Sequence, residues 1–235
     1  MPRIGYIRRY KNILPNPHSR VNLQQIGDDP TTCYINANYI TAIDGSPQAY
    51  IAAQGPKPDC VVPFWRMIWQ EEVSIVIMVT GLIERGKSKC SRYWPDKINR
   101  GGQEGIIKYG EVVVKVVSAK QMVGYKMAQF EVKHEGIDGL RKVTHFWFDS
   151  WPDCKEPCAG VPPPPPLPTS PPTRPSALFG VSVVMHHPCV RFAVADLAIR
   201  CLSLSGGSPR NHAAQIPPAL LQLASRTARL PWWTC

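Results

Sequence analysis

The stretch SIVIMVT (Ser74–Thr80) decides the fold class of this chain. It is a continuous apolar run rich in β-branched residues, which is typical of a strand buried on both faces of a sheet. Directly before it, Pro63–Glu72 places apolar side chains at i, i+1, i+4 and i+5 from Phe64. This is the spacing of an amphipathic helix, here with a proline in its first turn. A helix that leads into a buried strand predicts a domain of mixed α and β structure.

Further strands are predicted on both sides of this helix and strand. Upstream, Tyr34–Ile40 and Tyr50–Gln54 are short runs of strand-forming residues. Downstream, three segments alternate in polarity or are β-branched, which favours antiparallel strands. They are Val112–Val117, Tyr125–Lys133 and Lys142–Phe148. The sequence therefore predicts an α/β (α+β) domain with a mixed sheet.

The composition changes after Pro157. From Cys158 onward the chain has no Lys, no Glu and one acidic residue, Asp196, and all eight Tyr lie at or before Tyr125. A folded domain rarely loses several common residue types together. We predict a front domain over 1–157, a proline-rich linker over 158–175 and a tail over 176–235. A genuine proline-rich tail and an out-of-frame or alternatively spliced segment remain equal explanations.

Charge and cysteine usage limit the class of partner and the compartment. The net charge of +10 suits an anionic partner such as a phosphorylated protein, but Lys and Arg are dispersed, so nucleic-acid binding is not expected. The eight Cys form no C-x-x-C pair, which favours reduced thiols. The first residues lack the apolar core of a secretory signal, and the most apolar late stretch, Ala177–Val190, is too short to span a bilayer. We expect a cytoplasmic protein with no membrane segment.

Six motifs follow one another along the front segment. They are RRYKNILPNPHSRV (Arg8–Val21), YINANYI (Tyr34–Ile40), YIAAQGP (Tyr50–Pro56), FWRMIW (Phe64–Trp69), KCSRYWP (Lys89–Pro95) and WPDCKEP (Trp151–Pro157). In this order and spacing they resemble the classical protein tyrosine phosphatases of receptor and non-receptor type. The first motif is most similar to the subgroup that acts on MAP kinases. The resemblance covers about residues 3–157 and implies a truncated phosphatase domain with a highly twisted mixed sheet.

By this resemblance Arg8–Val21 is the phosphotyrosine-recognition loop, and phosphotyrosine proteins are the expected partners. Tyr10 would be the aromatic wall of a pocket deep enough to reject phosphoserine, worth roughly 0.5–1.5 kcal/mol beyond burial. Asn12 would bind the substrate backbone, with a plain turn residue as the alternative. Asn36 and Asn38 are interpreted as structural hydrogen-bonding residues rather than substrate ligands.

Asp153 is the candidate general acid. Cleavage of an aryl phosphate puts negative charge on the leaving oxygen, and an acid that protonates it contributes roughly 10²–10⁴-fold. Trp151 and Pro152 would anchor a loop that closes over the substrate; the alternative is a surface turn. In the family, Lys89 helps to position this acid and Glu84 pairs with the arginine of the phosphate loop. As isolated residues both would be solvated charges.

The nucleophile of the family is not found. It lies in a loop of pattern H-C-x-x-G-x-x-R, whose thiolate attacks phosphorus while backbone amides and the arginine hold the phosphate. Only Cys60 has an arginine six residues later, Arg66, but the intervening residues contain no glycine and run across Pro63 into the predicted helix. That spacing is interpreted as coincidence. We therefore expect this chain to be inactive alone.

No cofactor or metal is expected. His186, His187 and Cys189 lie close in sequence but lack a credible fourth ligand for zinc. The tract VPPPPPLPTSPP (Val161–Pro172) predicts an extended polyproline II segment. Its PPLP core resembles a ligand of WW domains, with SH3-type or profilin-type binding as alternatives, but a stiff linker of low complexity is the favoured interpretation. Beyond it, Leu178–Leu204 has some helical periodicity, and we expect the tail to be disordered.

Two expectations follow from the missing motif. One functional alternative is a non-catalytic, truncated isoform that binds or regulates partners through its recognition loop or its proline-rich segment.

The other expectation concerns the sheet. The rest of a phosphatase domain would cover Ser74–Thr80, so this strand is expected to expose apolar side chains and an unpaired edge.

Overall fold

The computed structural model describes residues 9, 13–41, 45, 47–95 and 105–149, together with the backbone of 180–185. Its helix and strands are β1 (Arg20–Asn22), β2 (Tyr34–Ile40), β3 (Tyr50–Gln54), α1 (Val61–Gln70), β4 (Val73–Met78), β5 (Ile83–Glu84), β6 (Lys87–Ser88), β7 (Ile106–Tyr109), β8 (Val112–Met122), β9 (Tyr125–His134), β10 (Ile137–Trp147) and β11 (Gly180–Met185). Short 3-10 turns, Pro30–Cys33 and Pro58–Cys60, precede β2 and α1.

One mixed sheet dominates the structure. It has nine strands in the order β1-β2-β3-β11-β4-β10-β9-β8-β7, and β5 and β6 form a separate two-stranded hairpin. The four central strands β3, β11, β4 and β10 are parallel, while both flanks pair antiparallel. The predicted α/β (α+β) class with a twisted mixed sheet is confirmed.

The helix and the central strand form largely where the sequence predicts them. Five of the six residues of β4 are buried, as expected for a strand covered on both faces. Helix α1 begins at Val61, ahead of the predicted Pro63. Pro63 is therefore the third helical residue, where a missing N–H removes no hydrogen bond within the helix.

The aromatic face of α1 ties the helix to the sheet. Trp65 is fully buried, and its ring centroid lies 5.9 Å from that of Tyr109 and 6.1 Å from that of Phe130. Its indole N–H donates to the carbonyl oxygen of Tyr93 at 2.6 Å. Burial of such a side chain stabilises the fold by about 1.5–3 kcal/mol. Trp65 therefore also holds the segment that follows β6, because Tyr93 belongs to that segment.

The strand β4 has no unpaired edge, contrary to expectation. On one side it pairs with β10, and on the other with β11, which lies between β3 and β4. Leu178–Leu204 was expected to be poorly ordered, but within it Gly180–Met185 is a strand. The reason is that an uncharged segment from far along the chain satisfies the backbone groups of β3 and β4, which local periodicity does not reveal. Within the described residues, no helix has the length and apolar character needed to cross a membrane.

Candidate functional site

The four parallel strands end at one edge of the sheet. Met185 pairs with Gln54, Val184 with Met78, and Trp147 also with Met78, so the last residues of β3, β4, β10 and β11 are level. In sheets with parallel strands, ligands bind outside the carboxyl ends of the strands. This edge is therefore the candidate site, and three of the six sequence motifs meet there.

Arg9 joins the first motif to YIAAQGP and to Ser88, the last residue of β6, which directly precedes the motif Lys89–Pro95. Nε and Nη2 donate to the carbonyl oxygen of Gly55 at 3.3 and 3.2 Å, and Nη2 also reaches the carbonyl of Pro56 at 3.2 Å. Nη1 donates to the carbonyl of Ser88 at 2.9 Å. The backbone N–H of Arg9 donates to Oε1 of Gln54 at 3.2 Å. These five residues are termed the Arg9 junction.

Glycine is required at the centre of the Arg9 junction. A Cβ atom on Gly55 would lie 2.8 Å from the carbonyl oxygen of Lys89 and 3.1 Å from Cβ of Cys90. The N–H of Ser91 donates to the carbonyl of Pro56 at 2.8 Å, which holds the two segments side by side. The chain leaving β3 and the chain leaving β6 are thus in direct backbone contact, next to Lys89.

Two buried asparagines of β2 hold the candidate recognition loop. Nδ2 of Asn36 donates to the carbonyl of Ile13 at 3.2 Å. Nδ2 of Asn38 donates to the carbonyl of Asn16 at 3.1 Å and to Oγ of Ser19 at 2.9 Å, while its Oδ1 accepts from the N–H of Asn16 at 3.2 Å. Each bonded pair is worth about 0.5–1.5 kcal/mol net, and leaving a buried amide unpaired costs more. The predicted structural role of both asparagines is confirmed.

The hairpin β5–β6 carries Glu84 and leads to Lys89. Arg85 and Gly86 form its turn with φ angles of 49° and 73°, the left-handed conformation of a tight hairpin turn. Oε1 of Glu84 accepts from the N–H of Gly81 at 2.8 Å and from Oγ1 of Thr80 at 2.9 Å. Glu84 therefore fixes the hairpin to the end of β4.

Lys89 lies directly after the hairpin. Its backbone N–H donates to the carbonyl of Leu82 at 2.9 Å, and its side chain is half-buried. It is the neighbour of Ser88, whose carbonyl accepts from Nη1 of Arg9 in the Arg9 junction. The structure thus places Lys89, the predicted support residue, next to the Arg9 junction.

The exit of β10 is held by contacts with β4 and β9. The N–H of Phe148 donates to the carbonyl of Met78 at 2.8 Å, and Nε1 of Trp147 donates to the carbonyl of Thr80 at 2.9 Å. Nζ of Lys126 lies 2.6 Å from Oδ2 of Asp149 and 4.3 Å from the centroid of the Trp147 ring. The described chain therefore reaches Asp149 at the same edge as the Arg9 junction.

The two buried thiols near this edge are not activated. Burial raises the pKa of Cys90 to about 12, against the smaller opposing effect of the Arg9 charge. Burial likewise raises the pKa of Cys60. The guanidinium of Arg66 donates to the carbonyls of Thr32 at 3.0 Å and Gln24 at 2.5 Å. Since a thiolate is the nucleophilic form, Cys60 and Arg66 do not make a phosphate site, and their spacing is a coincidence.

Several predicted residues lie outside the described part of the chain. They are Tyr10, Asn12, Trp151, Pro152, Asp153, the tract Val161–Pro172, and His186, His187 and Cys189. Tyr10 follows Arg9 in the sequence and Trp151 follows Asp149 by two residues, so the described chain reaches the start of both candidate loops. Among the described residues, no group of three or more His, Cys, Asp or Glu could hold a metal ion.

Sequence reasoning missed the role of Arg9 and Gln54. Nothing in the string RRY distinguishes a guanidinium that binds carbonyls from one that faces solvent. Gln54 also accepts from Nδ2 of Asn36 at 3.0 Å, so one side chain connects β2, β3 and the recognition loop. The only available signal was the proximity of Gln54 to a Gly-Pro pair at the end of a strand, which is a weak one.

The comparisons with known proteins agree with this geometry. The family model for protein-tyrosine phosphatase matches residues 6–163. Tyrosine-protein phosphatase non-receptor type 7 of Mus musculus is 42% identical over 149 residues, covering 63% of this chain and 38% of that protein. Receptor-type tyrosine-protein phosphatase R of Rattus norvegicus is 41% identical over 163 residues, covering 69% and 23%. Tyrosine-protein phosphatase non-receptor type 5 of Homo sapiens is 42% identical over 156 residues, covering 65% and 26%.

The chain therefore spans between 23% and 38% of the length of these three relatives. The family model, in contrast, covers well over half of the chain and includes every motif that meets at the Arg9 junction. The chain belongs to the protein-tyrosine phosphatase family.

Proposed function

We propose that this chain carries the phosphotyrosine-recognition and proton-donating parts of a phosphatase site, in a family that dephosphorylates phosphotyrosine proteins through a cysteinyl-phosphate intermediate. The observation that supports this most is the Arg9 junction. In it, Nη1 of Arg9 donates to the carbonyl oxygen of Ser88 at 2.9 Å. This hydrogen bond holds the base of the recognition loop beside the segment that contains Lys89. Catalytic groups act efficiently only when such elements are held in a fixed relation.

In this proposal each candidate residue has one role. Tyr10 stacks against the phenyl ring of phosphotyrosine, and Asn12 binds the substrate backbone. Asp153 protonates the leaving tyrosine oxygen when the loop of Trp151 and Pro152 closes. Lys89 positions Asp153. The hydrogen bond from the backbone N–H of Lys89 to the carbonyl of Leu82 supports this role, because it fixes the point from which the lysine side chain extends.

Glu84 has a supporting role. Its carboxylate would hold the arginine of a phosphate loop, as in the family. It already receives two hydrogen bonds from Gly81 and Thr80, so one of its oxygens is fixed in place and can orient the other. This role depends on a phosphate loop being present.

We further propose that the polypeptide of 235 residues does not turn over substrate alone. Its sequence contains no H-C-x-x-G-x-x-R motif. Without the thiolate and the amides that hold the phosphate, both covalent catalysis and the main charge stabilisation are lost. The remaining acid, Asp153, cannot act on a phosphate that is not held.

The test is hydrolysis of p-nitrophenyl phosphate and of a phosphotyrosine peptide by the purified chain. We expect no release of phosphate above the buffer rate, with or without vanadate. The control is Asp153→Ala, which should behave the same. Vanadate-sensitive hydrolysis that disappears in Asp153→Ala would contradict the proposed inactivity, because the chain would then possess a complete site.

The second candidate is a non-catalytic binding or regulatory function. It is favoured by the tract Val161–Pro172, whose PPLP core suits a WW or SH3 domain. MAP kinases are the proposed phosphotyrosine partners because of the first motif. Titration of the chain with WW and SH3 domains, against a variant with Pro165→Ala and Pro166→Ala, tests the first interaction. Equal binding by both chains would rule out the tract as the ligand.

A further inference from the structure

The hairpin β5–β6 is open to another protein. It lies outside the nine-stranded sheet, and only two register pairs hold its strands together, Ile83 with Ser88 and Glu84 with Lys87. Every residue of its turn and second strand, Arg85–Ser88, is exposed. Short two-stranded hairpins are marginally stable alone, and segments with few backbone contacts open locally at little free-energy cost. An enzyme that modifies a side chain can therefore reach this segment.

The segment is also strongly basic. Arg85–Arg92 has the sequence RGKSKCSR, with four cationic residues and no anionic one. Ser88 lies at its centre, with Arg85 three residues before it and Lys89 directly after it. Kinases choose substrates by the pattern of charge around the acceptor hydroxyl, and an acidic substrate groove selects arginine and lysine. Charge complementarity thus identifies the kind of enzyme that fits this hairpin.

We propose that Ser88 is a phosphorylation site of a serine kinase that selects basic residues, and that Arg9 binds the phosphate. In the transfer, Oγ of Ser88 forms a bond to the γ-phosphorus of a nucleoside triphosphate held by the kinase. The bond from that phosphorus to the β,γ-bridging oxygen breaks, the hydroxyl proton passes to the catalytic aspartate of the kinase, and the nucleoside diphosphate leaves. The inference goes beyond the proposed function and does not depend on it.

The surroundings of Ser88 favour an added phosphate. Successive side chains of a strand point to opposite faces, so Ser88 lies beside Ile83, while Glu84 lies on the other face beside Lys87. Nη1 of Arg9 donates to the carbonyl oxygen of Ser88 itself at 2.9 Å. A phosphate group carries about −1.5 to −2 charges near neutral pH and forms charge-assisted hydrogen bonds with guanidinium groups. The guanidinium of Arg9 is thus within reach of the new charge.

The consequence of the modification lies at the Arg9 junction. Arg9 ties the base of the candidate recognition loop to the carbonyls of Gly55 and Ser88. A phosphate on Ser88 competes for the same donors with a full negative charge, so it draws Arg9 from neutral carbonyls to the phosphate. The modification therefore acts on the start of the recognition loop and on the segment that contains Lys89.

A second hydroxyl has the same sequence spacing but a different setting. Thr144 has Arg141 three residues before it. It lies inside β10, however, with Ile75 of β4 on one side and Gln129 of β9 on the other. A kinase cannot reach it without opening the sheet, so Thr144 is an internal control. Ser203, which also follows an arginine by three residues, lies outside the described residues.

The test uses the full-length chain, ATP and the catalytic fragment of protein kinase C, which selects basic residues around serine. Peptide mass mapping identifies each phosphorylated residue, and we expect phosphate on Ser88 and none on Thr144. Arg85→Ala should lower the initial rate at Ser88 by roughly tenfold, the effect of losing one charge-assisted contact. Lys133→Ala, which removes an exposed positive charge from β9, should leave that rate unchanged. An unmodified Ser88, a rate no higher than that at Thr144, or equal rates in the two variants would overturn the proposal.

Phosphorus-31 NMR tests the contact with Arg9. The pKa of the phosphate group, ordinarily about 6, falls when a guanidinium stabilises its doubly charged form. We expect this pKa to be lower by roughly half a unit or more in the phosphorylated chain than in the phosphopeptide Arg85–Arg92, which contains the neighbouring lysines but not Arg9. Arg9→Gln should return the pKa in the chain to the value in the peptide. Equal values in the wild-type chain and the peptide, a comparison that needs no variant to fold, would overturn the assignment of Arg9.

Discussion

The buried imidazole of His145 predicts that acid weakens this fold. His145 is only 2% exposed, and its Nε2 lies 2.7 Å from the hydroxyl of Tyr93. Its ring is packed against Trp94 and Phe130, with centroid distances of 4.9 and 5.7 Å. Burial lowers the pKa of His145 from 6.5 to about 3, so the ring stays neutral in the folded chain.

The sign and size of the effect follow from this difference. Between pH 6.5 and 3 the unfolded chain binds a proton at His145 and the folded chain does not. The free energy of unfolding must therefore fall as the pH falls through this window. One pKa unit corresponds to about 1.4 kcal/mol, so lowering the pH from 7 to 5 should remove about 2 kcal/mol through this one residue.

The assay is urea unfolding at pH 7 and pH 5 for the wild type and His145→Gln. Glutamine keeps a polar atom for Tyr93 but does not titrate. We expect the wild type to lose about 2 kcal/mol more than the variant between the two pH values. Tyr93→Phe removes the hydroxyl but retains the imidazole, so it should keep the extra loss. An equal loss in the wild type and His145→Gln would refute the reasoning, since the titrating group would then lie elsewhere.

Three further predictions concern the candidate site. Arg9→Lys should lose the forked contact with three carbonyls and destabilise the chain nearly as much as Arg9→Ala, by roughly 1–3 kcal/mol in urea unfolding; a fully stable lysine variant would show that charge alone suffices. Gly55→Ala should cost roughly 1–3 kcal/mol because its Cβ meets backbone, and an unchanged melting temperature would argue against the close approach. A chimera that replaces everything after Pro157 with the corresponding part of a family relative should hydrolyse phosphotyrosine, and Asp153→Asn should lower its turnover by roughly 10²–10⁴-fold. Lys89→Ala should have an intermediate effect in the same assay, and full activity with Asp153→Asn would show that the acid is misassigned.

Burial explains which strands could be predicted from sequence. β2 and β3 have the predicted bounds; Gly55 and Pro56 mark the end of β3, while β2 keeps its bounds although it contains Asn36 and Asn38. β8 and β10 are longer than predicted: β8 continues to Met122, and β10 begins at Ile137. The additional residues are mostly exposed, so backbone pairing continues where no alternation of apolar and polar side chains marks it.

The contacts of the candidate site were less predictable than its residues. The family resemblance indicated Lys89 and Glu84, but not that Arg9 would connect the first motif to Gly55, Pro56 and Ser88. Such a contact depends on residues that are far apart in sequence, Arg9 and Ser88. Each of them, taken with its sequence neighbours alone, looks like an ordinary surface residue. β11 was missed for the same reason, since its partners β3 and β4 belong to a region of different composition.

The position of β11 also determines the order in which the chain can fold during synthesis. Tyr50 and Val181 are paired although they lie roughly 130 positions apart, and contacts of such long range form slowly. The ribosome completes β3, α1 and β4 well before Gly180 exists. Until then the inner edges of β3 and β4 have no partner from β11, and open strand edges invite pairing with other chains. Soluble yield should therefore depend on the delay between translation of β4 and of β11, and slow elongation through the proline codons of Val161–Pro172 would extend the period of greatest risk.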